Sequence, residues 1–357
     1  MKPRLAAALL LGAFSLPLHA AETLWPSTQQ WQALQRQTES DADASAVFQA
    51  QRRIADAALR DGPQAVAALS TEGRLAGDPV KVQTEAALRD MAKIQALAIA
   101  WTLDGDARYL KQAGAYLQAW AETNRPTGDP IDETGLEPAI FGYRLLRDHL
   151  PKAQRDKIDG WLREVARAEI ASRNMKRKTA TNNWHSHRLK IVGLIGFALN
   201  DQALIRYARD GLKQQLSDNL LPDGSSIDFQ ERDALSYHTY DLQPLLTLAL
   251  AFAERGEDFY RLQAPSGASL QKSVAFLRPY LDGSRTHAEF VGSAVPFDKA
   301  RSDHHEAGHV IGAAYDPRNA AATLELAAAF EPGYADLALK LSGGRPHLRW
   351  LISRLPG

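Results

Sequence analysis

The sequence predicts an all-α protein, an α/α toroid or incomplete α/α barrel built from antiparallel helical hairpins. Apolar residues recur at three- and four-residue spacing in one segment after another, and no stretch alternates in the manner of a long strand. Helix ends repeat one turn chemistry, a Gly or Asn able to take the left-handed conformation followed by an Asp suited to cap the next helix. Connections this short join antiparallel neighbours, and a series of such pairs stacked around a centre closes into a toroid whose loops share one end.

Residues 1–20 read as a secretory signal peptide. Met1-Lys2-Pro3-Arg4 supplies a positive start, and the apolar run from Leu5 to Leu18, broken by Gly12 and Pro17, is too short to span a bilayer. Leu18 and Ala20 place the cut after Ala20, which leaves residues 21–357 as a single domain bound for the periplasm or the medium. No Cys precedes the mature start, which argues against a lipid anchor.

The first clear stripe is Leu88, Met91, Gln95 and Ala98, which ends in the turn Leu103-Asp104-Gly105-Asp106. Tyr109, Ala113, Tyr116 and Trp120 form the next, then Ile191, Leu194, Ile195 and Ala198, closed by Leu199-Asn200-Asp201. Leu242, Leu245, Leu246, Ala249 and Phe252 form the clearest, and Arg255-Gly256-Glu257-Asp258 is a looser third copy of the turn. Three polar segments rich in Gly and Pro interrupt the pattern: Asn124 to Glu137, Leu221 to Arg232, and Asp282 to Asp303. Long irregular loops in a compact domain are more often functional than average, so these are candidate walls of a cleft.

Composition narrows the function. The 357 residues are 45% hydrophobic and 24% charged, with 42 basic and 42 acidic side chains. Loss of Lys2 and Arg4 with the leader leaves the mature chain near −2, a balance that excludes a global field for nucleic acid. A basic cluster, Arg173 through Lys178, reads first as a solvated helix end. The absence of cysteine removes thiolate nucleophiles and Cys-based zinc sites.

His305-Glu306-Ala307-Gly308-His309 matches H-E-x-x-H, which on a helix puts two zinc ligands on one face with a glutamate base, and Glu325 or Glu331 could complete the set. Gly308 and Gly312 weaken a helix here by about 1 kcal/mol each, Asp316-Pro317 ends it soon after, and no strand is available to hold a peptide. A zinc metallopeptidase is therefore the second reading, and a polar loop rich in His and Asp the plainer one.

Two polar segments carry more chemistry. In Asn182-Asn183-Trp184-His185-Ser186-His187-Arg188, either Asn can cap the helix that runs through Ile191, and Asn183 and His187 lie one turn apart on one face. Capping accounts for much of the segment, but not for Trp184 beside polar rings and amides, where an indole suits the face of a sugar. In the second segment Asp223-Gly224-Ser225-Ser226 marks a turn. Arg232 precedes Tyr237, His238 and Tyr240 at the start of the Leu242 helix. Each phenol alone could be a core residue; four polar groups in one turn are more easily satisfied in a cleft.

Asn-Asn with nearby His, Asp-Gly some forty residues later, then Arg and Tyr-His-x-Tyr before an apolar helix resembles the alginate lyase family of α/α-toroid polysaccharide lyases. The motifs span Thr181 to Lys190 and Leu221 to Pro244. Trp184 separates the Asn pair from the first His, so the family's histidine role falls to His185 or His187, and Arg232 sits about one residue from the expected spacing. Elimination at a 4-linked uronate requires a neutralised C6 carboxylate, a base for the C5 proton and an acid for the leaving O4. In mannuronate and glucuronate both atoms lie on one face, so one phenol can serve twice. The resemblance makes that phenol Tyr240, with Asn183 and His187 or His185 on the carboxylate and Arg232 close by. Arg232 or His238 is expected to lower the Tyr240 pKa.

Asn182, Trp184, Arg188, Tyr237, His238, Glu137, Arg285 and His287 are the candidate substrate-binding residues, with Glu133 in the first loop, Arg144 beside it and Glu289 in the third as further subsite candidates. The reading is thus an exported monomeric lyase of acidic polysaccharide, needing no metal or cofactor and binding neither nucleic acid nor membrane. Mannuronate-rich alginate is the first substrate and glucuronan the second. A non-catalytic acidic-glycan-binding protein is the further alternative.

Overall fold

In the computed structural model the described residues are 23–172 and 178–355, so the expected leader and residues 173–177 of the basic cluster lie outside them. The described residues form helices joined by turns and loops, and two isolated bridges, Leu220 with Ser226 and Ala288 with Ala314, are the extended pairings among them. The first half contains α1 (Thr28–Gln37), α2 (Ala42–Ala58), α3 (Pro79–Asp104), α4 (Ala107–Thr123), α5 (Pro130–Glu133), α6 (Glu137–Leu146) and α7 (Lys152–Ala171). Then follow α8 (Asn183–Leu199), α9 (Gln202–Asp218), α10 (Ile227–Arg232) and α11 (Leu235–Ala253). The remainder is shorter: α12 (Leu270–Phe276), α13 (Arg278–Leu281), α14 (Pro296–Asp303), α15 (Ala321–Ala328), α16 (Ala335–Leu341) and α17 (Leu348–Ile352).

Which helices line the inside follows from how their apolar residues are distributed. In α8 every residue from His185 to Leu199 is buried, and α11 is buried from Leu242 to Phe252 except Gln243. A helix apolar on all sides must be surrounded. By contrast α4 and α9 bury one stripe each, Tyr109, Ala113, Tyr116, Leu117 and Trp120 in α4, and Ile205, Ala208, Leu212 and Leu216 in α9. Helices α3, α6, α8, α11 and α15 pack in succession as an inner ring, with α4, α7, α9 and α16 against their outer sides. Helix α17 contacts α15, α1 and α2, so the last described helix packs on the first two.

The expected turns form, with one exception. Gly105 ends α3 at φ 70° and Asp106 caps α4; Asn200 ends α8 at φ 54° and Asp201 caps α9. Gly256 also takes a positive φ, but the next helix begins only at Leu270, so the third copy is a turn without a hairpin. All three of the expected loops carry short helices of their own, α5 inside 124–137, α10 inside 221–232 and α14 inside 282–303.

Candidate active site

The first turns of α8 and α11 bear the polar segments, and each start is held from elsewhere in the chain. Asn182 caps α8, its side chain accepting from the Trp184 amide at 3.1 Å. Asp228 of α10 adds a buried carboxylate at the same helix start, where the aligned amides favour negative charge. It accepts the Asn183 N–H at 2.9 Å, the Asn183 carboxamide Nδ2, and the Asn219 Nδ2 at 2.8 Å. Burial pushes the Asp228 carboxyl up against these bonds. Its neighbour Asp241, raised further by burial and by Asp228, accepts from Ser186 Oγ at 2.6 Å.

Helix α11 has no side-chain cap of its own, because Ala234 stands at that position. The third loop supplies one: Glu289 accepts from the amides of Leu235 at 2.8 Å and Ser236 at 3.0 Å. Asp233, at φ 46°, is pinned by the same loop through the Phe290 amide at 2.7 Å, the Gly292 amide at 2.8 Å and His287 Nε2 at 2.9 Å. Since the Asp233 partner is a carbonyl, His287 donates, and its half-buried ring anchors the loop.

These starts bring His187 and Tyr240 together, ring centroids 4.5 Å apart. His187 Nδ1 lies 2.7 Å from Thr134 Oγ1, while its buried Nε2 has no hydrogen-bond partner among the described residues. Burial, with a smaller effect of Lys190, holds the imidazole pKa well below the usual histidine value, so it is neutral. Tyr240 is half-buried, with no hydrogen bond from its hydroxyl to another described residue. Burial pushes its phenol up, as do Tyr237, Asp129 and Asp132, while the Arg301 charge opposes them.

Tyr237 completes the group. Its ring meets that of Tyr240 edge-on at 6.3 Å, its hydroxyl accepts from Arg301 Nη1 at 3.2 Å, and the Arg232 guanidinium stacks on its face at 3.9 Å. Arg232 is in turn paired with buried Asp298. The expected activation of Tyr240 by Arg232 or His238 is thereby corrected: Arg232 serves Tyr237, and the cation acting on Tyr240 is Arg301.

Other candidates fall away from this group. His238 is fully buried, accepting from Ser226 Oγ at 2.9 Å and donating to the Ser273 carbonyl at 3.0 Å, and burial lowers its pKa to about 4. This neutral core histidine cannot touch a substrate. Arg188 is fully buried against Glu169, its Nε 3.0 Å from that residue's carbonyl and 3.4 Å from its carboxylate, so it too is a core residue. His185 lies beside Arg188, Nδ1 to Nη1 3.5 Å, and burial and Arg188 lower its pKa to about 4. Glu137 pairs with Lys190 of α8. Arg144 is held by Glu254 at 2.6 Å and stacks on Trp25, while Glu133 accepts the amides of Thr127 and Gly128. Trp184 is half-buried at the start of α8, and Arg285 is exposed.

The H-E-x-x-H segment forms no helix. It lies in turns with His305 at φ 56°, so its histidines lack the one-face geometry of a zinc site. Nor is it a solvated loop throughout: Glu306 is buried between Lys81 at 3.0 Å and Arg301 at 2.9 Å, and His309 stacks on Phe290. No group of three or more metal-ligating side chains occurs among the described residues.

Sequence reasoning named Glu289 only as a possible subsite residue and did not single out Thr134, Asp228 or Arg301, although all four lie in the three loops marked as candidate cleft walls. Asp228 carried a further signal, the turn and Ser226 cap just before it; which side chains of the other loops reach the site is set by tertiary packing.

Residues 27–287 match the alginate lyase family, and the chain belongs to that family. A polysaccharide lyase of Stenotrophomonas maltophilia (strain K279a) is 26% identical over 201 residues, 52% of this chain, which thus spans 58% of that relative's length. An alginate lyase from Bacteroides ovatus has a similar structure, TM-score 0.70 at 17% identity, covering 94% of this chain and 99% of that one. Alginate lyase A1-III from Sphingomonas species A1 follows with TM-score 0.55 and 19% identity, covering 86% of this chain and 97% of that one. These structures share the α/α-toroid fold with it.

Proposed function

We propose that this chain is an exported, monomeric polysaccharide lyase that cleaves a 4-linked polyuronate by metal-independent β-elimination. Mannuronate-rich alginate is the first substrate and glucuronan the second. Family membership supports the reaction class, and one observation carries the assignment of residues: the Tyr240 hydroxyl has no hydrogen-bond partner among the described residues while its ring packs on a neutral imidazole, 4.5 Å away.

Tyr240 takes the C5 proton and returns one to the leaving O4, both on one face of the sugar. Thr134 donates to His187 Nδ1, which leaves the proton on Nε2, the atom without a hydrogen-bond partner among the described residues, as donor to the C6 carboxylate. A neutral donor stabilises the developing enolate without attracting the phenolic proton. His187 is favoured over His185 because His185 packs against Arg188. Asn183 offers its remaining amide hydrogen from an orientation set by Asp228, and Trp184 and Tyr237 are the candidate sugar contacts. Burial holds the Tyr240 phenol high, so elimination rises with pH from neutral into the alkaline range, with no acid limb near the ordinary histidine value from His187. The test is absorbance at about 235 nm, where unsaturated uronates absorb, on a panel of polyuronates. A glycan-binding protein would bind them without producing this signal.

A further inference from the structure

Arg301 lies outside both polar segments, yet its surroundings are built rather than incidental. Its Nε and Nη2 reach the two oxygens of Glu306 at 2.9 and 3.3 Å, and its Nη1 reaches the Tyr237 hydroxyl at 3.2 Å. Glu306 is itself held by Lys81 of α3 at 3.0 Å. Burial works against the Glu306 charge, but the bonds from Arg301 and Lys81 outweigh it and hold the carboxyl at about 2, so the carboxylate persists across the working range. His304 adds a tie across the same junction, its Nε2 donating to the Ala76 carbonyl at 2.9 Å.

We propose that Arg301 is a positioning residue for elimination: Lys81 and Glu306 fix its guanidinium on the Tyr237 hydroxyl, and the held charge favours the ionised form of Tyr240. The inference rests on the lyase reading for its functional meaning, whereas the coupling itself does not. A planar guanidinium suits the task because one edge serves the carboxylate while another nitrogen serves the phenol. The groups facing Tyr240 explain why a cation is needed. Tyr237 on its own helix and Asp129 and Asp132 from the first loop all oppose a phenolate, His187 on α8 is neutral, and Arg301 opposes them. This gives Glu306 of the H-E-x-x-H segment a role as an ion-pair anchor.

The test separates coupling from turnover. A fluorinated tyrosine, whose phenol ionises well below that of tyrosine, is installed at position 240 in the full chain, and its ionisation is followed by the 19F resonance. Arg301→Gln raises the midpoint by about one pH unit, Glu306→Gln raises it by less, and Arg301→Lys, which keeps the charge, largely restores it. Equal midpoints in the parent, Arg301→Gln and Glu306→Gln proteins overturn the proposal. With natural Tyr240, Arg301→Gln lowers kcat about tenfold or more with little change in KM and moves the rising limb of the pH profile upward. A uniform loss at every pH would indicate only structural damage and likewise overturn it. If the parent yields no unsaturated product while the 19F midpoint still moves, the lyase reading fails and the coupling stands.

Discussion

Replacing Asp228 by Asn keeps the side-chain shape and removes an acceptor on which the start of α8 converges. Two nitrogens of Asn183 and one of Asn219 point at the two carboxylate oxygens. An amide offers one oxygen and sets an NH2 against a donor at the other position, leaving at least one buried donor unpaired. An unsatisfied buried group costs about 1–3 kcal/mol, and loss of charge assistance on the remaining bonds adds about 1 kcal/mol. Removing a charge from beside Asp241 gives part of this back, so the expected net loss is about 2–3 kcal/mol, or about 3–4 °C in Tm for a chain of this length. Urea denaturation followed by far-UV circular dichroism at neutral pH measures it. Turnover at a temperature where the variant remains folded is expected to fall as well, because Asn183 loses its anchor. An unchanged midpoint would mean that Asp228 is already neutral in the folded protein, and the assigned donor geometry at the start of α8 would be wrong.

Three further outcomes follow from the same geometry. His187→Ala is expected to lower kcat about 10²–10³-fold and His185→Ala less than tenfold, measured by formation of unsaturated product; the reverse order would move the carboxylate role to His185. The folded pKa of His238, at about 4, is below its unfolded value, so the unfolded chain takes up the proton first. Stability from this group is therefore complete above about pH 6.5 and falls by about 3 kcal/mol as pH drops to 4, with His185 adding a share. Urea titrations of the parent and His238→Gln across this range check it, the variant showing the shallower slope. Chelator treatment should leave elimination unchanged, since the H-E-x-x-H segment is not helical; loss of turnover restored only by added zinc would favour the metallopeptidase-type site.

The sequence made the inner helices and their ends legible for local reasons. Gly105, Asn200 and their following aspartates act within a few residues of the chain, and the burial of α8 and α11 is written in unbroken apolar runs such as Ile191 to Leu199. The Gly256 turn read as a looser copy of the other two, and whether a helix follows a turn depends on what the next segment packs against. Within the site, the approach of Tyr240 to His187 was foreshadowed by their places at two helix starts. Arg188 and His238 read as cleft residues because charge and imidazole are usually exposed; burial against Glu169 and Ser273 depends on partners that neighbouring sequence does not reveal. Glu289 capping α11 and Arg301 reaching Tyr237 cross more than fifty positions, and no periodicity marks such a contact.

The central claim, elimination through Tyr240, is tested most directly by the rise in absorbance at about 235 nm when the protein meets mannuronate-rich alginate or glucuronan, with Tyr240→Phe as its comparison. The account predicts a steady rise with the parent protein and a loss of about 10³-fold or more with the variant, which should still fold and bind the polymer. A rise of equal rate in both proteins would remove Tyr240 from the chemistry, and no rise with any acidic polysaccharide would contradict the proposed reaction itself.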